Sequence, residues 1–204
     1  MHNIQRENFA TQQEFENAVR QMFIDDANEY IRQTGNSTEF QLTQKELYPI
    51  LDDVFKNAGG VGSVGYFIFQ MTVAQWIHRL GIKHVYDIGS PVAGFISQLL
   101  AQDVHVTMLD IRPLQLKIKG LDFIQADAMN GLNELEDNSI DCLTSLSVFE
   151  HFGLGRYGDP IDYNGWKKAL DGVKRKLAVG GRFYLEVPVG KENRVQFNAH
   201  RIFR

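Results

Sequence analysis

From residue 83 onward, short apolar runs alternate with amphipathic ones. The runs His84–Ile88, His105–Leu109, Phe123–Gln125, Ile140–Leu146 and Gly181–Val187 are too short for ordinary helices, and several lack polar alternation. That is the pattern of strands buried on both faces of a sheet. Helical spacing separates most of them, most clearly at Trp166, Ala169, Leu170, Val173 and Leu177, closed by Gly180-Gly181. Strand–helix alternation predicts an α/β fold over residues 83–204: a Rossmann-like, doubly wound, mainly parallel sheet. Residues 1–82 read as a helical N-terminal extension. Thr11 with Glu14, and Thr43 with Glu46, fit the capping box, in which side chains satisfy the first free backbone N–H groups. Phe15, Val19, Met22, Phe23, Tyr30 and Ile31 then keep helical spacing as far as Gly35-Asn36-Ser37. Leu47, Ile50, Leu51, Val54 and Phe55 do so as far as Gly59-Gly60, with Pro49 in the second turn. A third helix is expected over Met71–Leu80, with Gly81 as its left-handed stop. The intervening "GGVGSVGYF" reads as a linker, because it lacks the Lys-Ser/Thr ending of a phosphate-binding loop.

Composition narrows the function. A chain of 204 residues suits one well-buried domain plus an appendage. With a net charge of -4, phosphate attraction gives no support to nucleic-acid binding. The lone Cys142 lies in an apolar run and reads as a buried, inert thiol. No apolar stretch approaches the roughly 20 residues that span a bilayer, and no signal-peptide core is visible. A cytoplasmic protein with a small-molecule substrate is therefore expected, without nucleic-acid or membrane partners. The sequon Asn36-Ser37-Thr38 then reads as a polar loop. The helical region is open to two uses, a lid or a homodimer surface; exposed apolar residues on its first helix would favour the second.

Ligands of open parallel sheets bind beyond the carboxyl ends of the strands. The first strand ends in Asp87-Ile88-Gly89-Ser90, where glycine permits a tight turn. The second ends in Asp110, 21 residues after Gly89 and followed by Ile111, a spacing suited to a carboxylate on both ribose hydroxyls. The third runs into Asp127-Ala128, where a carboxylate can accept from an adenine amino group. The fourth runs through Ser145 into a glycine-rich loop that gathers Glu150, His151, Arg156, Tyr157, Asp159 and Asp162. One acidic strand end means little; three in chain order make a cleft. His151 is the best proton acceptor by type. Asp159 is the second catalytic candidate, although it and Asp162 are equally suited to holding sugar hydroxyls or capping the next helix. Arg156 suits a phosphate or carboxylate, or a pairing with Asp159. Tyr157 and Phe152 read as packing residues. Asn198, His200 and Arg201 follow the last strand and reach toward the same cleft. His151, Asp159 and His200 lack metal-ligand spacing, and no metal site is expected.

The strings "VYDIGS", "VTMLDIRP", "FIQADAM" and "LAVGGRFYLEVPVG", within residues 83–189, resemble the class I S-adenosylmethionine-dependent methyltransferases. More specifically, "SVFEHFGLGRYGDPID" with "FNAHRIF" looks like the branch known as domain of unknown function 268, whose members tend to occur among glycan and cell-surface sugar biosynthesis proteins. The resemblance implies S-adenosylmethionine as cofactor, held by Asp87, Gly89, Ser90, Asp110, Ile111, Asp127, Ala128 and Ser145. With the polar loop after the fourth strand, a small hydroxylated or sugar-like acceptor is expected near Glu150, Arg156, Tyr157, Asp162 and His200. Two departures stand out. Pro91 and Ala93 occupy positions where the family's loop has glycines, and the chain ends at Arg204, where the superfamily adds a helix and an antiparallel strand pair. Pro91 also breaks the middle of a G-x-G-x-x-G dinucleotide fingerprint, which counts against a nicotinamide oxidoreductase. Asp87 suits a cationic sulfonium better than a pyrophosphate. A degenerate fold that binds a ligand or partner without catalysis remains the alternative. Val92 or Phe95 filling the space above Gly89 would favour it.

Overall fold

The structure is a computed structural model that describes residues 6–34, 42, 47, 49, 64–197 and 199–204. It forms two compact units, Met1–Gly62 and Ser63–Arg204. The helix expected after Thr43, the stops at Gly35-Asn36-Ser37 and Gly59-Gly60, the sequon and Asn198 lie outside the described residues.

In the first unit, α1 spans Gln12–Thr34. Its capping box is formed on both sides: Glu14 N–H donates to Thr11 Oγ1 at 3.2 Å, and Thr11 N–H to Glu14 Oε2 at 3.0 Å.

The second unit opens with α2, Val64–Arg79, which takes in the "VGYF" half of the expected linker. It ends at Gly81, whose φ is +67°. This unit thus begins ahead of the boundary read at residues 82–83. The reason is packing: Val73, Ala74 and Ile77 are buried with Val85 and Val106 of the sheet.

Five parallel strands follow: β1 His84–Ile88, β2 His105–Asp110, β3 Leu121–Gln125, β4 Ile140–Leu146 and β5 Leu177–Glu186. Their order is β3-β2-β1-β4-β5, so strand order reverses between β1 and β4. Alternate residues feed two apolar layers. Val85, Val106, Met108, Cys142 and Leu146 pack with α2 and with Phe95, Ile96 and Leu99. Ile88, Leu109 and Leu143 pack with Ala169 and Val173 of α4, Gly165–Lys176. The chain from β1 enters a π-helical turn, Val92–Ile96, and then α3, Ser97–Leu100. Leu177, expected to close α4, instead begins β5 opposite Ile140, and Gly180-Gly181 falls inside that strand beside a register shift. An antiparallel pair, β6 Arg194–Gln196 and β7 His200–Ile202, stands near the C-terminal end in its own small sheet. Burial pushes the Cys142 thiol up to about 12, which agrees with an inert thiol. Among the described residues no helix is long and apolar enough to cross a membrane.

Candidate active-site cleft

A cavity of about 240 Å³ opens over the carboxyl ends of β1, β2 and β4, where strand order reverses. Its floor is the turn after β1. Gly89 takes φ +77°, and a Cβ there would stand 2.8 Å from Val148 Cγ1, so the β1 and β4 turns meet only because glycine is present. Its N–H donates to Leu109 O at 2.9 Å, tying this turn to β2. Beneath it, Asp87 Oδ1 accepts from Ser90 N–H at 2.9 Å, and Oδ2 accepts from Ser90 Oγ at 2.9 Å and Thr144 Oγ1 at 2.6 Å. Burial pushes the Asp87 carboxyl up to about 6, against those hydrogen bonds. Ser145 is buried and its hydroxyl turns to Ile88 O at 3.4 Å. Asp87, Ser90 and Ser145, expected to touch cofactor, therefore brace the turn from below; none lines the cavity. Pro91 does line it, whereas Val92 and Phe95 pack into the apolar layer under the sheet. The closure that Val92 or Phe95 would have caused is not formed.

At the end of β2, Asp110 and Ile111 line the cavity. Asp110 is engaged by Arg112: Oδ1 accepts from the backbone N–H and Nε, both at 2.9 Å, and Oδ2 from Nη2 at 2.7 Å. A carboxylate offers about four acceptor sites, so one stays open on Oδ2. The expected grip on both ribose hydroxyls is thus reduced to one while Arg112 holds this position. After β3, Asp127 and Ala128 line the same space. Asp127 Oδ1 caps the turn Ala128–Asn130 through Met129 N–H at 2.9 Å, and Oδ2 is free of hydrogen bonds among the described residues.

The loop after β4 carries the remaining candidates. Ser147 turns it sharply at φ +58°, a left-handed conformation uncommon outside glycine, and is secured to Glu186 through its N–H at 3.0 Å and hydroxyl at 2.9 Å. Asp159 lines the cavity and organises the loop: its carboxylate accepts from the N–H groups of Gly153, Gly155 and Tyr157 at 2.8, 3.2 and 3.1 Å. Asp162 accepts from Asn164 N–H at 2.9 Å and Lys168 Nζ at 2.6 Å, which places it at the start of α4, outside the cavity.

His151 lines the cavity, with Nδ1 2.7 Å from Ala199 O. A carbonyl only accepts, and its 2.7 Å contact is shorter than that of Arg156 Nη1, a donor 3.4 Å from the same nitrogen, so Nδ1 carries the proton and Nε2 keeps a lone pair. Burial holds the imidazole below its ordinary value. Glu150 Oε1 stands 3.7 Å from Nε2. Glu150 is buried behind the cavity wall, not in it; its Oε2 has no hydrogen-bond partner among the described residues, and burial pushes its carboxyl up to about 7. Tyr157 lines the cavity; Arg156 and His200 do not. The segment after β6 nevertheless reaches this loop, since Arg156 Nη1 also donates to Ala199 O at 2.9 Å and Arg201 Nη1 donates to Phe152 O. Tyr66 of α2, Arg112, Ser147 and Val148 line the cavity without having been singled out for it. Arg112, two residues after a strand-end carboxylate, is the one whose position in the sequence could have flagged it.

Residues 106–204 match the family model described as "Caenorhabditis protein of unknown function, DUF268". No curated protein matches the chain. Among solved structures, the Burkholderia thailandensis 1,6-didemethyltoxoflavin-N1-methyltransferase, with bound 1,6-didemethyltoxoflavin and S-adenosylhomocysteine, is 15% identical at a TM-score of 0.50, over 96% of this chain and 74% of that one. A SAM dependent methyltransferase from Archaeoglobus fulgidus is 20% identical at a TM-score of 0.39, over 53% and 48%. The sugar N-methyltransferase KedS8 from Streptoalloteichus is 15% identical at a TM-score of 0.41, over 73% and 56%. The chain thus spans about half the length of the last two. It has the class I S-adenosylmethionine-dependent methyltransferase fold and is related, through residues 106–204, to the family DUF268.

Proposed function

We propose that this cleft binds S-adenosylmethionine and that the chain transfers its methyl group to a small hydroxylated or sugar-like acceptor. The observation that carries the reading is that Gly89, Asp110, Asp127 and His151, from four successive strand ends, face one cavity. The residues present fit the cofactor. Gly89 lets the β1 turn close against Val148 at the cavity floor, the open site on Asp110 Oδ2 suits a ribose hydroxyl, and Asp127 Oδ2 suits an adenine amino group. When bound, the cofactor supplies an electrophilic methyl group on a sulfonium.

The chain itself has to align an acceptor and take its proton. His151 is held in one tautomer by Ala199, so Nε2 accepts the acceptor's hydroxyl proton. Below its ordinary pKa range, the imidazole is neutral and ready at pH 7. The Glu150 carboxyl beside it then faces the imidazolium, and its ionised form stabilises that charge. Calorimetric titration with S-adenosylhomocysteine tests the reading: saturable binding is expected, and absence of both heat and thermal shift at millimolar ligand would overturn it.

A further inference from the structure

The Tyr157 ring carries two guanidinium groups. Arg112 Cζ lies 4.6 Å from its centroid and Arg156 Cζ 5.2 Å, so the two charges stand within about 10 Å of each other. They arrive from different elements, the turn after β2 and the loop after β4. Only Arg112 has a carboxylate, that of Asp110. Arg156 is exposed; its Nη1 is held by the Ala199 carbonyl, 3.4 Å from His151 Nδ1, and among the described residues nothing engages its Nε or Nη2 and no carboxylate pairs with it. Neither nearby acid forms an ion pair with Arg156 among the described residues: Asp159 turns its carboxylate oxygens to three backbone N–H groups, and Glu150 feels Arg156 only at a distance from behind the wall. A positive charge is thus fixed at the rim of the cleft in a chain whose net charge is -4. An aromatic ring holds a guanidinium plane while leaving its N–H edge free to fork onto an oxyanion.

We infer that Arg112, Tyr157 and Arg156 form an anion subsite at the rim of the cleft, and that the acceptor carries a phosphate or carboxylate group. The inference rests on the methyl-transfer reading for the word acceptor, but the subsite is testable without it. The full chain is titrated with inorganic pyrophosphate and with malonate, each with and without S-adenosylhomocysteine. At least one anion binds, more weakly as KCl rises, and the stronger of the two identifies the oxyanion. Arg156→Gln weakens that binding by about tenfold or more while S-adenosylhomocysteine affinity stays unchanged, and Arg156→Lys recovers part of it. Thermal melting of each variant confirms that it folds. Failure of both anions to bind, or affinity unmoved in Arg156→Gln and in Arg112→Gln, overturns the subsite. S-adenosylhomocysteine binding without anion binding would remove the subsite alone. Anion binding through Arg156 without S-adenosylhomocysteine binding would remove the methyl-transfer reading and keep the subsite.

Discussion

His151 donates its Nδ1–H to the backbone carbonyl of Ala199 across 2.7 Å, and this contact joins the loop after β4 to the chain just before β7. It sets the direction of the Nε2 lone pair, which is what a base in this cleft needs.

Replacing His151 by Gln should reduce methyl transfer by about 10²–10⁴-fold and leave S-adenosylhomocysteine affinity alone. Because burial lowers the imidazole's pKa, kcat/KM in the native chain should rise through a value below about 6.5, and rise again through about 7 as Glu150 ionises beside it. A steady-state pH profile checks both points.

Asp110→Ala should weaken S-adenosylhomocysteine binding by about 1.5–3 kcal/mol, the size expected of charged hydrogen bonds. Losing the three hydrogen bonds from Arg112 should lower Tm only modestly, because the guanidinium is half exposed and stays hydrated. Unchanged affinity in calorimetry would show that Asp110 serves Arg112 alone.

Gly89→Ala should harm both folding and binding. The left-handed φ of +77° costs a side chain about 1–2 kcal/mol, and its Cβ would meet Val148 Cγ1 at 2.8 Å. At about 2–4 °C per kcal/mol for a chain of this size, thermal melting resolves the loss. Adding Val148→Ala should relieve the collision but not the φ, and so restore only part of Tm.

Asp159→Ala removes the acceptor of three backbone N–H groups and should cost about 1.5–3 kcal/mol of stability by denaturant titration. Residual activity should keep an acid limb, moved to lower pH because the Asp159 charge no longer raises the His151 imidazole. Loss of the limb would make Asp159 the base.

Asp87 should make stability fall with rising pH. Its folded-state pKa is raised from 3.8 to about 6, so its contribution is complete below 3.8 and is lost as pH rises through about 6. The stability advantage of the native chain over Asp87→Asn should therefore shrink between pH 4 and pH 7, as followed by Tm in both proteins.

The strands were legible because their signal is short-range. A doubly buried strand needs a brief apolar run, and His84–Ile88 and Ile140–Leu146 match the observed bounds of β1 and β4. Thr11 and Glu14 are three residues apart, so their cap was legible for the same reason. Leu177 was misplaced because an apolar residue four after Val173 suits either the end of a helix or the start of a strand; pairing with Ile140 settles it. The start of α2 was missed because Ser63 and Gly65 resemble a linker, whereas burial of Val73 and Ile77 against the sheet holds the helix.

Among the site residues, Asp110, Asp127 and His151 followed from strand ends, which periodicity locates along the chain. What each carboxylate does was not legible, because its role depends on which donors come within 3 Å. Asp87 meets Thr144 of another strand, Asp110 meets the arginine two residues on, and Asp159 meets the N–H groups of its own loop. Local pattern thus carried the strand ends and their order, since hydrophobic burial is written residue by residue. Partnership across the fold assigned Asp87 to bracing, Asp159 to the loop, and Arg112 and Arg156 to a single tyrosine, since those distances exist only once separate elements have packed.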